Sequence, residues 1–436
     1  MNRIEAEDFV YKSYLKAEKF QKYSDKDSQK RNPELSKDLL EEMSTTPSVV
    51  ITGSKGKGSV ANMVSQILQT RLKVGLMTSP HIIDFCERFK VNGVNVSDED
   101  FIKHMEKIAP LFERIDDEIP QTMCISPMAI QAALGLSYFN EQHTDFNIFE
   151  CGKGAKYDDV NNVVHNYAII NSIFLEHTRE LGDTKEKIAE DKAHVITGKQ
   201  KCVYIGKQDE SVLEVIKKRA NETGTPIKIY GVDFYSENIK YTNAGMLFDV
   251  VIEDERFEDI QIPLMGEHQA RNCAIAMAIS KDVLQNLDLN SVKNNLALTN
   301  WPGRMEVICQ EPFILLDACI NRESCDNVKK VIRYLKISEC TTIVGIPDDK
   351  DYAGVVKEMS DISNHIILTK SQNPHYRFST TQKDNMMKEG IRTEWFNTIE
   401  EAIKRAVFIN NPIIILGTTS VVGEVKKLQE ENRIIN

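Results

Sequence analysis

The chain has 436 residues, of which 27% are charged and 41% hydrophobic, and it carries a formal net charge of −11. Those proportions describe a globular protein of two or three domains, long enough to bury its cores without a disulfide or metal staple. The acidic balance argues against a nucleic-acid or anionic-membrane binder, whose affinity rests on clustered Lys and Arg, but it leaves room for a local phosphate pocket.

Nine cysteines (86, 124, 151, 202, 273, 309, 319, 325 and 340) are scattered without a CxxC pair. That pattern predicts reduced thiols in a cytoplasmic protein rather than a disulfide frame or a zinc site. The opening MNRIEAEDFVYKSYLKAEKF spreads acidic residues (Glu5, Glu7, Asp8, Glu18) among basic ones and lacks an apolar h-region, so no signal peptide is expected. No run of about 18 apolar residues occurs, and no membrane span is expected.

Residues 1–45 read as helical turns broken by the polar run SDKDSQKRNPELSKD. PSVVITGSKGKGSVANMVSQILQTRLKVGLMTSP then reads as strand, glycine loop, helix, strand. Val49–Thr52 is β-branched, as a strand buried on both faces should be, and Val60, Val64, Ile67 and Leu68 recur at helical spacing. Further strands are expected at Lys73–Thr78, Asn147–Glu150 and Tyr167–Ile170, with helices between them. Such alternation predicts an α/β fold with a parallel sheet. Between about 200 and 265 the pieces CVYIG, IKIYGV, LFDVVI and IQIPL suggest a small side sheet, followed by the helical stretch HQARNCAIAMAISKDVL. Around Trp301-Pro302-Gly303 the chain reads as a linker. From Phe313 the alternation restarts, with strands at FILLDA, TTIVGI, HIILTK and PIIILG. The expected organisation is a first unit over 1–297 and a C-terminal, Rossmann-like α/β unit over 298–436.

The sharpest chemical signal is Gly53-Ser54-Lys55-Gly56-Lys57-Gly58-Ser59 between strand and helix. Glycines let backbone N–H groups close on phosphate oxygens, and the helix N-terminus adds its positive end. Lys57 can reach the β/γ-phosphates and the Ser59 hydroxyl can ligate Mg²⁺, so Gly53, Ser54, Gly56, Lys57, Gly58 and Ser59 are expected to hold a nucleotide. The spacing is shorter than GxxxxGK[ST], which marks a variant phosphate loop.

ITGSKGKGSVA (51–61) resembles the ITGTNGKGSVA loop of the Mur ligase superfamily, in particular its folylpolyglutamate synthase / dihydrofolate synthase branch. TSPHIIDFCERFKVNG (78–93) is similar to that branch's TSPHLxxFxERIxxNG, which lies over nucleotide and acceptor; the resemblance therefore implies substrate contacts at Ser79, Pro80 and His81. FNIFECGKGAKYDDVNN (146–162) is similar to EVGLGGRLDATN and implies Glu150 as a Mg²⁺ ligand, with Asp158 toward substrate. IINSIFLEHTRELGDTKEKIAEDKAHVI (169–196) resembles SIGLDHTxxLGDTxxxIAxEKAGII, which makes His177 a metal ligand, puts Glu176 where the family has Asp, and matches Lys192 to the family's carbamylated lysine. A carbamate would turn that cation into an anionic oxygen ligand, and its formation needs a neutral amine, hence a lowered pKa.

GEHQARNCAIA (266–276) is similar to GxHQxxNAxxA, implying Gln269 and Asn272 toward the adenine and the domain junction, and PGR (302–304) implies Arg304 on phosphate. In the second unit Asp317 and Asn321 match the family's DGAHNPxA, while Asp349, Lys350 and Asp351 retain its DKD element. Ile320 and His375 stand where the family has His and Arg; Ser126-Pro127-Met128-Ala129 replaces T-x-F-E, and Lys55 replaces Asn.

The resemblance implies an ATP-dependent amide ligase using Mg²⁺, with K⁺ as a further candidate cofactor, that adds L-glutamate to a folate-type carboxylate. Lys57, Glu150, His177 and Lys192 would be the catalytic groups. Its partners would be a small carboxylate and an amino acid, with no nucleic acid or membrane, and the chain would act as a monomer. Three other readings stay open at this point: a ligase joining a different carboxylate and amine, a P-loop ATPase or kinase, and a silent ATP-binding relative.

Overall fold

The computed structural model describes residues 1–20, 31–242 and 245–434. The stretch of the polar run from 24 to 30 lies outside the described residues.

Two parallel sheets organise the chain. The first contains β1 (Ser48–Thr52), β2 (Val74–Met77), β3 (Phe89–Val91), β4 (Val94–Asn95), β5 (Phe146–Glu150), β6 (Tyr167–Ile170), β7 (Cys202–Ile205) and β8 (Ile227–Ile229). Their order is β4-β3-β2-β5-β1-β6-β7-β8; β3 and β4 pair antiparallel and the rest are parallel. β1, β2, β5 and β6 are buried along their whole length, as expected of strands covered by helices on both faces. On one face, helix Lys57–Leu68 lays Val60, Val64, Ile67 and Leu68 onto the sheet, all with no exposed surface. On the other, helices Asp98–Glu118 and Pro127–Glu141 contribute Phe101, Phe112, Leu134 and Phe139. The second helix starts at Ser126, whose hydroxyl caps Ala129 N–H, with Pro127 at the first helical position.

The side sheet is smaller than expected. CVYIG and IKIYGV supply β7 and β8, which extend the main sheet in parallel, with Ala168 beside Val203 and Val203 beside Ile227. β7 is buried throughout, and helix Glu210–Thr223 provides the crossover that a parallel pair requires. Only β9 (Phe234–Thr242), β10 (Gly245–Ile252) and β11 (Glu255–Ile262) form the separate antiparallel sheet, packed on helix Glu267–Leu284.

After residue 305 a second core forms around β12 (Glu306–Cys309), β13 (Ile314–Asp317), β14 (Cys340–Gly345), β15 (Ser363–Leu368), β16 (Glu394–Trp395) and β17 (Ile413–Gly417). Their order is β12-β13-β17-β14-β15-β16, parallel except for β12. The four strands expected from Phe313 onward are all present. All nine cysteines are free thiols, and among the described residues no helix is long and apolar enough to cross a membrane.

Candidate active site

In an open parallel sheet, ligands collect beyond the carboxyl ends of the strands, where successive connections leave in opposite directions. β1 is that point, because its neighbours β5 and β6 lie on opposite sides and the chain proceeds from β1 to the β2 flank before returning to β6. The loops leaving β1, β2, β5 and β6 open onto one cleft of about 1520 Å³, and the carboxyl ends of β13, β14 and β17 form its opposite wall.

The glycine loop is built by backbone that few residues adopt. Gly53 and Gly56 have φ of 141° and 76°, and a Cβ on Gly56 would lie 2.6 Å from Asn171 Nδ2. Gly58 is close-packed for a different reason: a Cβ there would meet the Trp301 ring at 2.5 Å and Glu150 Oε2 at 3.3 Å. Behind the loop runs a relay of buried amides. Asn171 Nδ2 donates to Lys55 O and Asn272 Oδ1, and Asn272 Nδ2 donates to Gln269 Oε1, each at 3.0 Å. Gln269 and Asn272 thus line the cleft while bracing the loop that carries Lys57.

Lys57 Nζ donates to Gly53 O at 3.1 Å, and Lys192 Nζ reaches the same oxygen at 3.0 Å. Lys192 is only 1% exposed and pairs with Glu176 Oε1 at 3.0 Å. It sits behind the loop rather than on the cleft wall. Burial lowers its pKa and the Lys57 charge lowers it further, against the opposing pull of Glu176. As an ammonium Lys192 is a donor only, so a role as metal ligand requires the carbamate that the family resemblance implies.

Glu150 ends β5 facing the start of helix Lys57–Leu68. It is 4% exposed, and its Oε2 accepts Ser79 N–H at 3.1 Å. Burial raises its pKa, while Lys57, the Ser79 amide and Arg304 pull it down. A buried carboxylate with so little hydrogen bonding, lining the same cleft as the Ser59 hydroxyl, offers hard-oxygen donors of the kind that fit Mg²⁺. His177 lies in the left-handed conformation (φ 43°) at the start of helix Thr178–Leu181, open to the cleft. Desolvation lowers its pKa, with Lys153 and Lys350 adding to that and Glu176 opposing, so a neutral ring nitrogen is available. Among the described residues no group of three or more His, Cys, Asp or Glu side chains gathers at one point. A cation here would therefore take further ligands from phosphate and water, as Mg²⁺ commonly does.

Ser79, Pro80 and His81 line the cleft. His81 Nδ1 accepts Arg88 Nε at 2.9 Å, and burial followed by the Arg88 charge brings its pKa down to about 4. Arg88, itself buried, donates to Gln131 Oε1 at 2.5 Å, which anchors this loop on helix Pro127–Glu141. Asp158, expected toward substrate, is instead 1% exposed and away from the cleft. It caps a short 3₁₀ turn: Oδ2 accepts Lys153 N–H at 2.9 Å and Oδ1 accepts Val160 N–H at 3.1 Å.

On the opposite wall Asp317 Oδ2 accepts Met305 N–H at 2.9 Å, and burial raises its pKa against the nearby Arg304 charge. Arg304 faces the cleft, with Nη1 on Gly303 O at 3.0 Å. Asn321 caps helix Arg322–Tyr334, and Asp351 caps helix Tyr352–Met359 while accepting Arg322 N–H at 2.9 Å. Asp349 pairs with Lys350 at 3.7 Å. Ile320 lines the cleft, whereas His375 is exposed outside it and its neighbour Tyr376 lines it. Sequence reasoning missed Asn171 and Trp301; the one signal for Asn171 is its place immediately after the apolar run of β6.

Residues 51–280 match the Mur ligase middle domain family. The chain belongs to that family. Among curated relatives, a Bacillus subtilis dihydrofolate synthase/folylpolyglutamate synthase is 28% identical over 392 residues, covering 86% of this chain and 89% of the relative. A folylpolyglutamate synthase of Lacticaseibacillus casei is 25% identical over 382 residues, 86% of this chain and 88% of the relative. In overall fold, the solved folylpolyglutamate synthase of Mycobacterium tuberculosis complexed with ADP superposes with a TM-score of 0.86 at 23% identity, covering 98% of this chain and 99% of that one.

Proposed function

We propose that this chain is an ATP-dependent carboxylate–amine ligase that joins L-glutamate to a folate-type carboxylate. The observation that carries the reading is the single cleft between two parallel sheets, with the glycine loop, Lys57 and the buried Glu150 on one wall and Asp317, Asn321 and Asp349–Asp351 on the other. The members of that set belong to segments that match the family motifs, and relatives are named dihydrofolate synthase/folylpolyglutamate synthase and folylpolyglutamate synthase, which supports the reading.

The acceptor carboxylate oxygen attacks the γ-phosphorus, the bond to the β,γ-bridging oxygen breaks, and ADP leaves with that electron pair. The amine nitrogen then adds to the acyl carbon of the acyl phosphate. Inorganic phosphate departs from the tetrahedral intermediate and the amine loses its proton, leaving the amide. In the first step the loop N–H groups and Lys57 carry the charge on the transferring phosphoryl group, and Arg304 reaches it from the junction. Ser59, Glu150 and His177 would hold Mg²⁺, which supplies neutralisation of the triphosphate charge. In the second step the 298–436 unit brings the amine over the acyl group held by the 1–297 unit. One chain supplies both walls, which suits a monomer, and the free thiols suit the cytoplasm.

Ile320 on the cleft wall favours a second reading, in which the incoming amine differs from glutamate, because a site shaped for one polar ligand rejects analogues that leave its groups unpaired. Both are tested by ADP release with Mg²⁺-ATP, bicarbonate and L-glutamate, offering dihydropteroate or tetrahydrofolate as acceptor, with mass spectrometry of the product. A glutamyl-pterin establishes the first reading. ATP binding without turnover removes it and directs the search to other amines.

A further inference from the structure

Lys55 departs from the family's loop pattern, and its side chain leaves the loop altogether. Its backbone carbonyl is pinned by Asn171 Nδ2 at 3.0 Å, while its ammonium crosses the cleft to hydrogen-bond Ser324 Oγ and to approach Asn321 Oδ1 at 3.4 Å. Those two side chains form the cap of helix Arg322–Tyr334, with Ser324 Oγ donating to Asn321 Oδ1 at 2.5 Å and Ser324 N–H donating to the same oxygen at 3.0 Å. The far end of that helix is fixed to the first unit as well. Tyr334 stacks on Tyr241 at 4.6 Å between ring centroids and donates its hydroxyl proton to Tyr241 O at 2.6 Å. The helix therefore spans the two units, held by an aromatic pivot at one end and by Lys55 at the other.

The Lys55 end is the weaker one. Among the described residues its ammonium is hydrogen-bonded only to neutral oxygens, with the Asp317 carboxylate attracting it from a distance, and it stands at a helix N-terminus, where the aligned peptide dipoles disfavour a cation. A triphosphate in the glycine loop would compete strongly for that charge.

We infer that Lys55 is a positioning residue that ties the glycine loop to the cap of the amine-side helix, and that a nucleoside triphosphate in the loop draws its ammonium off that cap and frees the helix end. The inference rests on the nucleotide-binding reading and adds to it a link between nucleotide occupancy and the amine wall.

The test is calorimetric binding of the non-hydrolysable analogue AMPPCP with Mg²⁺ to wild type, Ser324→Ala, Lys55→Met and the double variant. Ser324→Ala removes the nearer of the two competing partners, leaving Asn321 Oδ1 and the charge, so AMPPCP binds about three- to fivefold tighter, the worth of one exposed hydrogen bond no longer broken. Lys55→Met binds more weakly than wild type, and adding Ser324→Ala to it changes nothing further. Lys55→Asn, which restores the family residue, behaves like Lys55→Met and serves if the Met variant folds poorly. An unchanged affinity in Ser324→Ala, or equal tightening with and without Lys55, overturns the inference while leaving nucleotide binding intact. No AMPPCP binding to wild type refutes the nucleotide reading itself, and the inference with it.

Discussion

Glu176→Gln isolates the charge that keeps Lys192 compatible with its burial. Lys192 is 1% exposed and Glu176 24%, with 3.0 Å between their charged atoms. Removing one partner of a fully buried pair costs about 3–5 kcal/mol, and the partial exposure of Glu176 brings this to about 2–3 kcal/mol. A ceiling follows independently, because the stranded ammonium can shed its proton. Neutralising a lysine of ordinary pKa at pH 7 costs about 1.36 kcal/mol for each of about 3.4 pH units, or about 4.6 kcal/mol, and at pH 9 about 1.9 kcal/mol. The folded-state pKa of Lys192 is already lowered, first by burial and then by Lys57, and loss of Glu176 lowers it further. Between that depressed value and the ordinary lysine value the unfolded chain binds more protons, so stability rises with pH, more steeply in the variant. Urea unfolding at pH 7 and pH 9 should therefore show a deficit of about 2–3 kcal/mol that shrinks to below about 2 kcal/mol. A deficit that is constant with pH, or absent at pH 7, would refute the reasoning.

Lys57→Ala should lower ATP turnover by about a hundredfold or more, the usual loss for a donor aimed at developing charge, with the circular dichroism spectrum intact. Near-normal ADP release would remove Lys57 from the phosphoryl step. Gly58→Ala should cost about 1–3 kcal/mol, because its methyl group meets the Trp301 ring at 2.5 Å, and the altered Trp301 fluorescence reports the displacement. For His81, whose folded pKa of about 4 lies below the ordinary value of 6.5, the stabilising contribution is fully present above pH 6.5 and fades as pH falls toward 4. His81→Asn should lose less stability than wild type between pH 6.5 and 4; parallel acid-unfolding curves would show that His81 does not carry that titration.

Local chemistry was readable where one segment determines it. Val49–Thr52 and the spacing of Val60, Val64, Ile67 and Leu68 give strand and helix directly, since burial on both faces makes the centre of β1, Val49–Ile51, wholly apolar and a single apolar stripe marks the helix. What one segment does not determine was misread or missed. CVYIG and IKIYGV have strand composition, but only the pairing of CVYIG with Tyr167–Ile170, over thirty residues earlier in sequence, and of IKIYGV with CVYIG in turn assigns them to the main sheet. Asp158 matches a substrate position by motif, yet the backbone donors of its own turn occupy both oxygens. The bracing of the glycine loop by Asn171, and the contact from Lys55 to Ser324, join residues so distant in sequence that no local pattern announces them.

Gly53 presents one carbonyl oxygen to two ammonium groups, at 3.1 Å from Lys57 and 3.0 Å from Lys192. A carbonyl has two lone pairs, and a buried one left without any donor is costly. Double occupancy changes what Lys57 gives up when it turns toward a phosphate. The oxygen it leaves is still satisfied by Lys192, so the loop backbone has no orphaned acceptor and no cause to rearrange. Lys57 is thus free to travel on its own side chain while the glycines that would surround the phosphates stay where they are. The mobile cation and the rigid cradle are separated by a spare hydrogen bond.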